Sequence, residues 1–503
     1  MPDAAAIRLI LLSAAALLVR LLSATIVARP GYTDAYYYSV VAGRLARGDG
    51  LSADFVWNFI EAPGMAALPV ASHRFWVPLV SALEAVGIAT LGPLLGEFRA
   101  AQAAIIATAV FLPAVTYVAA RSLDVGERSA LGAAAVVGLG GIFAPAFVAT
   151  DAFAPAALIG TLFFLAYARA ARGSIRAGAV AGLLVGLLYL ARAEGALFGL
   201  AVLALLARPA SRRAGAAASL FALAIGGAWF ARDVAVGLPP DLLARTTLLG
   251  RYEAFFAIAS PSASAFVASL PAVLVAKLNA LLTNGATAVF AFAVVLGPLA
   301  ALAAIRLRTR ADVRAWASLL VLVYLAQSLV WTLHSTRGSY FHSLAAFFPY
   351  GVALAAAGAE RVLAARDGGA ARVWMAGAFA LVIAMTGGAL VQWDAAFNGP
   401  ANARASALDA IPAGPFLAID AAAWRSISGR SVIVTPADGL DEAACAAARY
   451  GATSLVLEAT HFSAYDAVYR GEVRPVWLGP PQARGDVHIY PIYGPQCSTG
   501  VIR

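Results

Sequence analysis

AAAIRLILLSAAALLVRLLSATIV, residues 4–27, is an apolar run near the start of the chain. A helix of about 20 residues crosses the hydrocarbon core of a bilayer, which is about 30 Å thick. The run is too long for the core of a signal peptide, it lacks a convincing small-residue cleavage site, and it carries Arg20. We therefore predict that it is a retained first membrane span.

Apolar runs of this kind recur along the chain. The 503 residues are 61% hydrophobic and 13% charged, with a mean hydropathy of +0.80. A soluble domain is far less apolar. The sequence therefore predicts an α-helical polytopic membrane protein with about eleven spans. The runs after the first are 100–120, 129–148, 152–171, 177–190, 195–207, 214–230, 286–305, 315–333, 341–359 and 374–391.

Arginines in short loops between these runs supply most of the net charge of +9, which indicates membrane topology rather than nucleic-acid binding. The runs 177–190 and 195–207 could also form one long helix with Arg192 and Glu194 in its middle. Two separate spans put all the basic loops on one side, including the loop from Arg361 to Arg372, so we prefer two. The positive-inside rule makes that side cytoplasmic.

This topology places the N-terminus in the cytoplasm, and the Ala, Arg and Gly bias suggests a bacterial inner membrane. Residues 1–391 then form the membrane module, with outer loops at 28–97 and 231–285. Within the second loop, the stretch 265–282 carries Lys277, so we expect an amphipathic helix in the interface rather than a span.

Residues 392–503 are less apolar, and short β-like runs alternate there with helical stretches. The predicted strands are 416–420, 431–435, 454–458 and 488–492, and a predicted helix covers 441–450. This pattern predicts a small extracytoplasmic α/β domain. Cys445 and Cys497 lie in it, and the sequence allows either a disulfide between them or two free thiols.

Asp34 is the leading candidate for chemistry. It lies in GYTDAYYY, residues 31–38, directly after the first span. The alternative interpretation is an N-cap carboxylate for the helix that follows. Asp151, in a predicted outer turn, is a second catalytic candidate, although a polar turn residue needs no special reason there. A divalent metal shared by Asp34 and Asp151 is a further candidate, and the sequence indicates no other cofactor.

Further polar residues are predicted at the same outer face, where ionisable groups are costly and therefore functional candidates. Arginines there match phosphate oxygens, although they can also simply snorkel to lipid headgroups. We expect these side chains to contact substrate. The candidates are Tyr37, His73, Arg74, Arg192, Glu194, Arg337, Tyr340 and His342.

The order of these features resembles the family-C (GT-C) membrane glycosyltransferases, in particular the protein-mannosyltransferase and aminoarabinose-transferase-like group. The matching pieces are Asp34 with Tyr37, the Pro-Leu segment 75–83, Asp151, and the Gly-rich span 181–195 that ends in Arg-x-Glu-Gly. Such proteins often show an acidic pair in the first loop, whereas here Ala35 follows Asp34.

The resemblance implies an inverting transfer of a sugar from a polyprenyl-phosphate donor to a lipid, glycan or protein acceptor on the outer face. Asp34 would then act as the base or as a metal ligand. A transporter or flippase of lipid-linked sugars is the main alternative, but it would favour charges near the bilayer midplane and two related halves. A non-catalytic membrane scaffold is the other.

Overall fold

A computed structural model describes residues 4–239, 241–363 and 368–497. The chain ends and the middle of the basic loop between Arg361 and Arg372 therefore lie outside the described residues. The structure divides into two compact units. The membrane unit comprises Met1–Ala28, Trp76–Ala235 and Leu278–Asp394, and the α/β unit comprises Arg29–Phe75, Val236–Lys277 and Ala395–Arg503.

The described helices follow in chain order. They are α1 (Ala4–Ile26), α2 (Thr33–Ala46), α3 (Leu79–Leu95), α4 (Glu97–Ala109), α5 (Leu112–Ser122), α6 (Glu127–Leu139), α7 (Phe153–Ala170), α8 (Ile175–Ala191), α9 (Gly199–Leu206), α10 (Arg212–Ala235), α11 (Leu242–Thr247), α12 (Ala263–Ala268), α13 (Leu270–Ala291), α14 (Leu296–Arg306), α15 (Ala311–Leu329), α16 (Thr332–His334), α17 (Tyr340–Ala345), α18 (Phe348–Leu363), α19 (Gly368–Trp393), α20 (Gly399–Ala407), α21 (Ala421–Ser428), α22 (Leu440–Tyr450) and α23 (Asp466–Tyr469).

Among the described residues, seven helices are long and apolar enough to cross a membrane, or up to eight if a bent pair counts as one span. The bent pair is Thr332–Ala345 with Phe348–Val362, which meet at 66°. Four shorter apolar helices accompany them. The polytopic membrane fold predicted from the apolar runs is confirmed, although the described residues contain seven or eight helices of spanning length where the sequence predicted about eleven spans.

One predicted span is placed differently. Helix α13 is long and apolar enough to be a span, and it contains most of the stretch 265–282 that the sequence assigned to the interface. The chain then breaks at Ala293 and Val294, where φ is positive, so the predicted span 286–305 is divided between α13 and α14. A single lysine does not exclude a span, because its long side chain can reach the headgroups.

Glycines allow close packing of α8 against α10. A Cβ added at Gly178 would lie 2.2 Å from the carbonyl oxygen of Ala214, and one at Gly182 would lie 2.0 Å from that of Ala218. Small residues at this spacing let the backbones of membrane helices approach closely. The glycines of the span 181–195 therefore have a packing role.

The α/β unit contains a five-stranded sheet with the order β4-β3-β5-β7-β6. The four strands predicted in the C-terminal region are present, and β6 is added at one edge. Their bounds are β3 (Phe416–Ala418), β4 (Val432–Val434), β5 (Ser454–Leu457), β6 (Gln482–Arg484) and β7 (Val487–Pro491), and a small antiparallel pair consists of β1 (Ser52–Ala53) and β2 (Val70–Ala71).

The first outer loop contributes to this unit. Strand β3 is parallel to both β4 and β5, and β7 is antiparallel to β5. Beyond β4, the Val56 amide donates to the Val432 carbonyl at 2.9 Å, and the Val434 amide donates to the Val56 carbonyl at 2.6 Å. Residue 56 therefore covers the β4 edge, which would otherwise present unpaired backbone groups.

Cys445 and Cys497 form a disulfide. It joins helix α22 to the tail across a sequence separation of 52 residues. Of the two states that the sequence allowed, the structure therefore has the bonded one.

Candidate active site

Asp151 and His342 form a buried pair in the membrane unit. Asp151 lies in the turn before α7, and His342 lies on α17, just after the irregular segment Ser335–Ser339, where the helix bends ahead of the 66° break between Ala345 and Phe348. The Asp151 Oδ2 and His342 Nε2 atoms are 2.8 Å apart, and the two residues are 0% and 7% exposed. The fold thus brings together two site residues predicted from separate turns.

The other nitrogen of His342 limits what this pair can do. Nδ1 lies 2.8 Å from the carbonyl oxygen of Gly338. Because a carbonyl oxygen only accepts hydrogen bonds, Nδ1 must carry a proton. Nε2 then either carries a second proton and pairs with the Asp151 carboxylate, or presents a lone pair to a cation. Phe153 stacks on the imidazole ring at 4.0 Å and fixes its plane.

Arg192 and Glu194 lie near the same bend. The Arg192 Nε donates to Glu194 Oε1 at 3.0 Å, and its Nη2 donates to the Ser339 hydroxyl at 2.8 Å. The Ser343 hydroxyl donates to Glu194 Oε1 at 2.6 Å. The turn at Arg192 and the turn before His342 are therefore adjacent, as the sequence suggested. Glu194 offsets part of the positive charge of Arg192.

Gln327 joins this network, and sequence analysis missed it. Its Nε2 donates to the hydroxyls of Ser339 and Ser343 at 3.3 and 3.2 Å, and the residue is 2% exposed. The available signal was an amide within the apolar helix α15, since a polar group in a span requires partners.

Tyr340 and Arg337 have different surroundings. Tyr340 is buried and packs edge to face against Tyr324, with ring centroids 5.8 Å apart. Arg337 is exposed, at a φ of −99° in the irregular segment. Tyr340 therefore supports the packing of the bend, whereas Arg337 is accessible to an anionic group.

Asp34 is the second residue of α2 in the α/β unit. The N-cap of this helix is Tyr32, so the proposed N-cap role does not fall on Asp34. A carboxylate in the first turn still interacts favourably with the positive end of the helix dipole. Asp34 is half-buried.

Tyr37, His73 and Arg74 gather around Glu61, an acid that is not among the predicted site residues. The Tyr37 hydroxyl lies 2.8 and 2.9 Å from the two Glu61 oxygens, and it accepts a hydrogen bond from the His73 amide at 2.6 Å. The Arg74 amide donates to Glu61 at 3.1 Å. These residues organise the first outer loop from its interior.

Burial dominates the electrostatics of this cluster. Glu61 is 1% exposed, and this burial raises the pKa of its carboxyl to about 7, against the lowering effect of the hydrogen bonds that it accepts. Burial and the neighbouring Glu61 together hold the pKa of the Tyr37 hydroxyl well above its usual value. Tyr37 is therefore a neutral hydrogen-bond donor.

Comparison with known proteins identifies solved structures that share this fold. No family model matches the sequence, and no curated protein does so significantly. Solved structures do match. ArnT from Cupriavidus metallidurans bound to undecaprenyl phosphate has a TM-score of 0.60 at 15% identity, over 97% of this chain and 99% of that chain.

The archaeal oligosaccharyltransferase AglB from Archaeoglobus fulgidus, in complex with an inhibitory peptide and a dolichol-phosphate, has a TM-score of 0.54 at 13% identity, over 88% and 69% of the two chains. A structure of an Archaeoglobus fulgidus oligosaccharyltransferase in complex with Zn and sulfate has a TM-score of 0.55 at 14% identity, over 93% of this chain and 71% of that chain. These neighbours are GT-C glycosyltransferases. At such identities the likeness shows the fold, and the expected family-C fold is confirmed.

Proposed function

We propose that the chain is a membrane glycosyltransferase that moves a sugar from a polyprenyl-phosphate donor to an acceptor. The observation that carries the proposal is the buried Asp151–His342 pair, together with the paired Arg192 and Glu194 at the same bend. Buried ionisable groups within a membrane domain are expensive and mark functional sites. The fold shared with ArnT, whose structure contains undecaprenyl phosphate, supports a lipid-phosphate donor.

The reaction requires one bond to form and one to break at the anomeric carbon. The acceptor hydroxyl oxygen attacks that carbon from the side opposite the phosphate, so the configuration inverts. The bond to the phosphate oxygen breaks, and the lipid phosphate leaves with the electron pair. We assign Asp34 as the base that takes the hydroxyl proton, which is the role the sequence predicted.

Asp151 and His342 are the residues that would hold a divalent cation. One carboxylate oxygen and one imidazole nitrogen are a donor set that suits Zn²⁺ or a similar ion, and the Nδ1–Gly338 contact places the lone pair of the neutral ring on Nε2, which lies 2.8 Å from Asp151 Oδ2. The sequence-based hypothesis adds Asp34 as a further ligand. When bound, the cation would supply positive charge to the departing phosphate.

Arg337 is the proposed phosphate ligand among the predicted arginines. It is exposed at the bend, where an anionic headgroup can reach it. A guanidinium presents a planar fork that matches phosphate oxygens.

We also propose that the α/β unit faces the periplasm of a bacterial inner membrane. Its disulfide is typical of oxidising compartments, and the arginine-rich loops favour a cytoplasmic N-terminus. A membrane-impermeant maleimide tests this orientation with a cysteine introduced at Asp409, an exposed position of that unit. Labelling of intact spheroplasts is expected, and labelling only after lysis would reverse the orientation.

The function is tested with the purified protein in liposomes that contain a polyprenyl phosphate carrying a radiolabelled sugar, plus a membrane extract as the source of acceptors. Label is expected to leave the lipid fraction and appear on an acceptor. Asp151→Asn should reduce this transfer by roughly 10²-fold or more. Asp409→Asn, which changes an exposed acid, is the matched control.

Two other outcomes would overturn the proposal. Movement of labelled lipid between leaflets without transfer would establish a transporter. Absence of both activities with protein that binds the lipid would favour the scaffold.

A further inference from the structure

Helix α2, which carries Asp34, packs against helix α21 of the C-terminal region within the α/β unit. Small residues are fully buried on both helices: Ala35 and Ala42 on α2, and Ala422 on α21. Small side chains permit a close approach of two helices. Because the two helices are in close contact, a shift of α21 would also move α2. Polar contacts occur at both ends of α2 in addition to this packing.

At the start of α2, the Thr33 hydroxyl donates to Asp420 Oδ1 at 3.2 Å. Thr33 is the residue directly before Asp34, and Asp420 is the N-cap of α21, where its side chain accepts from the Ala423 amide. The two helix starts are thus joined by one hydrogen bond, next to the residue that we assign as the base.

Asp420 is itself held by a buried network. Its Oδ2 pairs with the Arg404 guanidinium at 3.1 Å. The Nε of Arg404 donates to both oxygens of Glu458, at 3.0 and 3.1 Å, and the Trp424 indole donates to Glu458 at 2.7 Å. Trp424 is 0% exposed and Arg404 is 8% exposed. Charged hydrogen bonds in such an environment are strong and geometrically specific.

At the other end of α2, Arg44 and Arg425 share one carboxylate. The Arg44 Nη1 lies 3.4 Å from Asp54 Oδ2, and Arg425 donates to both Asp54 oxygens at 2.9 and 2.7 Å. Arg425 is on α21. Helix α21 therefore contacts the chain at both ends of α2, through its N-cap and through its arginine.

We propose that α21 is a positioning element for Asp34, and that the Thr33–Asp420 hydrogen bond sets the position of the first turn of α2. This inference rests on the proposed function, because the C-terminal domain would influence catalysis by positioning the proposed base, Asp34. A general base must lie within hydrogen-bond reach of the proton that it takes. Displacement of a catalytic group by about 1 Å can cost roughly 10²-fold in rate.

Thr33→Val tests the contact, because it keeps the shape of the side chain and removes the hydroxyl. The matched control is Thr453→Val, which removes a hydroxyl that bonds to the carbonyls of Pro412 and Pro415, away from α2. Thr33→Ser is the rescue variant. Hydrogen–deuterium exchange over residues 31–38 and steady-state kinetics are measured on the full-length protein.

In Thr33→Val we expect faster amide exchange in the first turn of α2 and a kcat lowered roughly ten- to a hundredfold. The donor KM and the melting temperature should stay unchanged, and Thr33→Ser should recover both exchange and rate. Thr453→Val should leave all of these values as in the wild type. A change confined to kcat distinguishes positioning from a loss of stability.

Unchanged exchange at residues 31–38 in Thr33→Val would overturn the inference. So would faster exchange with an unchanged kcat, provided that Asp34→Asn abolishes turnover. Near-normal turnover of Asp34→Asn would instead remove Asp34 from the proposed function. The hydrogen–deuterium exchange measurement does not depend on activity. It therefore distinguishes a failure of the positioning inference from a failure of the proposed function.

Discussion

Asp151 and His342 are 191 residues apart in the sequence, yet the Asp151 Oδ2 and His342 Nε2 atoms are 2.8 Å apart. The bend of the span at Gly338, where φ is +113°, turns the His342 helix and supplies the carbonyl that holds its Nδ1. A buried acid–imidazole pair is thereby formed from two distant parts of the chain.

We predict that this pair binds a divalent cation. Titration of the metal-free protein with Mn²⁺ or Zn²⁺, followed by calorimetry, should show a site that His342→Gln and Asp151→Asn each weaken by at least about tenfold. His488→Gln, in the C-terminal sheet, is the control for loss of a histidine. Equal affinity in all four proteins would eliminate the metal site and leave a hydrogen-bonded acid–imidazole pair.

Arg20 is predicted to be a structural arginine rather than a substrate ligand. Its Nη2 donates to the Val137 carbonyl at 2.9 Å, and its guanidinium lies over the Phe147 ring at 5.0 Å. It thus supplies positive charge at the C-terminal end of α6, which the helix dipole favours. Arg20→Met should lower the free energy of unfolding by about 2–4 kcal/mol, because the helix carbonyls lose a charged donor within the membrane unit.

Arg8→Met is the matched control for Arg20, since Arg8 forms an exposed ion pair with Glu127. Exposed pairs contribute at most about 1 kcal/mol. Thermal unfolding in detergent compares the two variants. Equal melting temperatures for Arg20→Met and Arg8→Met would contradict the structural role of Arg20.

Much of the fold follows from local pattern. The run 4–27 and the four C-terminal strands carry their periodicity within a few residues, so they could be predicted. The start of α13 could not, because Lys277 interrupts an apolar run that is otherwise long enough for a span. Composition alone does not distinguish a span with one lysine from an interfacial helix.

The site was less predictable, because its geometry depends on distant contacts. Asp151, Arg192, Glu194 and His342 could be proposed as polar residues at the ends of apolar runs. Gln327 joins their network only because α15 packs against the segment that carries Ser339 and Ser343. Glu61 was not among the predicted site residues for the same reason, since its partners Tyr37 and Arg74 are 24 and 13 residues away in the sequence.

Glu61 predicts a pH dependence of stability. The pKa of its carboxyl in the folded protein is about 7, above its ordinary value of 4.5, so the folded state binds the proton more tightly than the unfolded state. The stabilisation that the proton provides is complete below about pH 4.5 and is lost as the pH rises through about 7, and its full size is on the order of 3 kcal/mol. Glu61→Gln should flatten this part of the profile.

Melting temperatures of wild type and Glu61→Gln between pH 5 and 8 test this prediction. The wild type should become less stable over this range relative to the variant. Glu253→Gln, a partly exposed acid of the same unit, should follow the wild-type profile. Parallel profiles for wild type and Glu61→Gln would show that Glu61 does not titrate in this range.

Asp34→Asn is predicted to abolish transfer while the protein stays folded and binds its lipid donor. Tyr32, not Asp34, is the N-cap of α2, and Asn keeps the shape of the side chain, so stability should change little. An amide cannot accept the acceptor's proton, and the loss of a general base costs about 10²- to 10⁴-fold in rate. Transfer from a polyprenyl-phosphate sugar and donor affinity are measured on the same monodisperse sample.

Arg337→Ala serves as the contrasting variant: it should weaken donor binding, because it removes an exposed phosphate partner rather than the base. Near-normal turnover in Asp34→Asn would disprove its catalytic role and shift the chemistry to the Asp151–His342 pair.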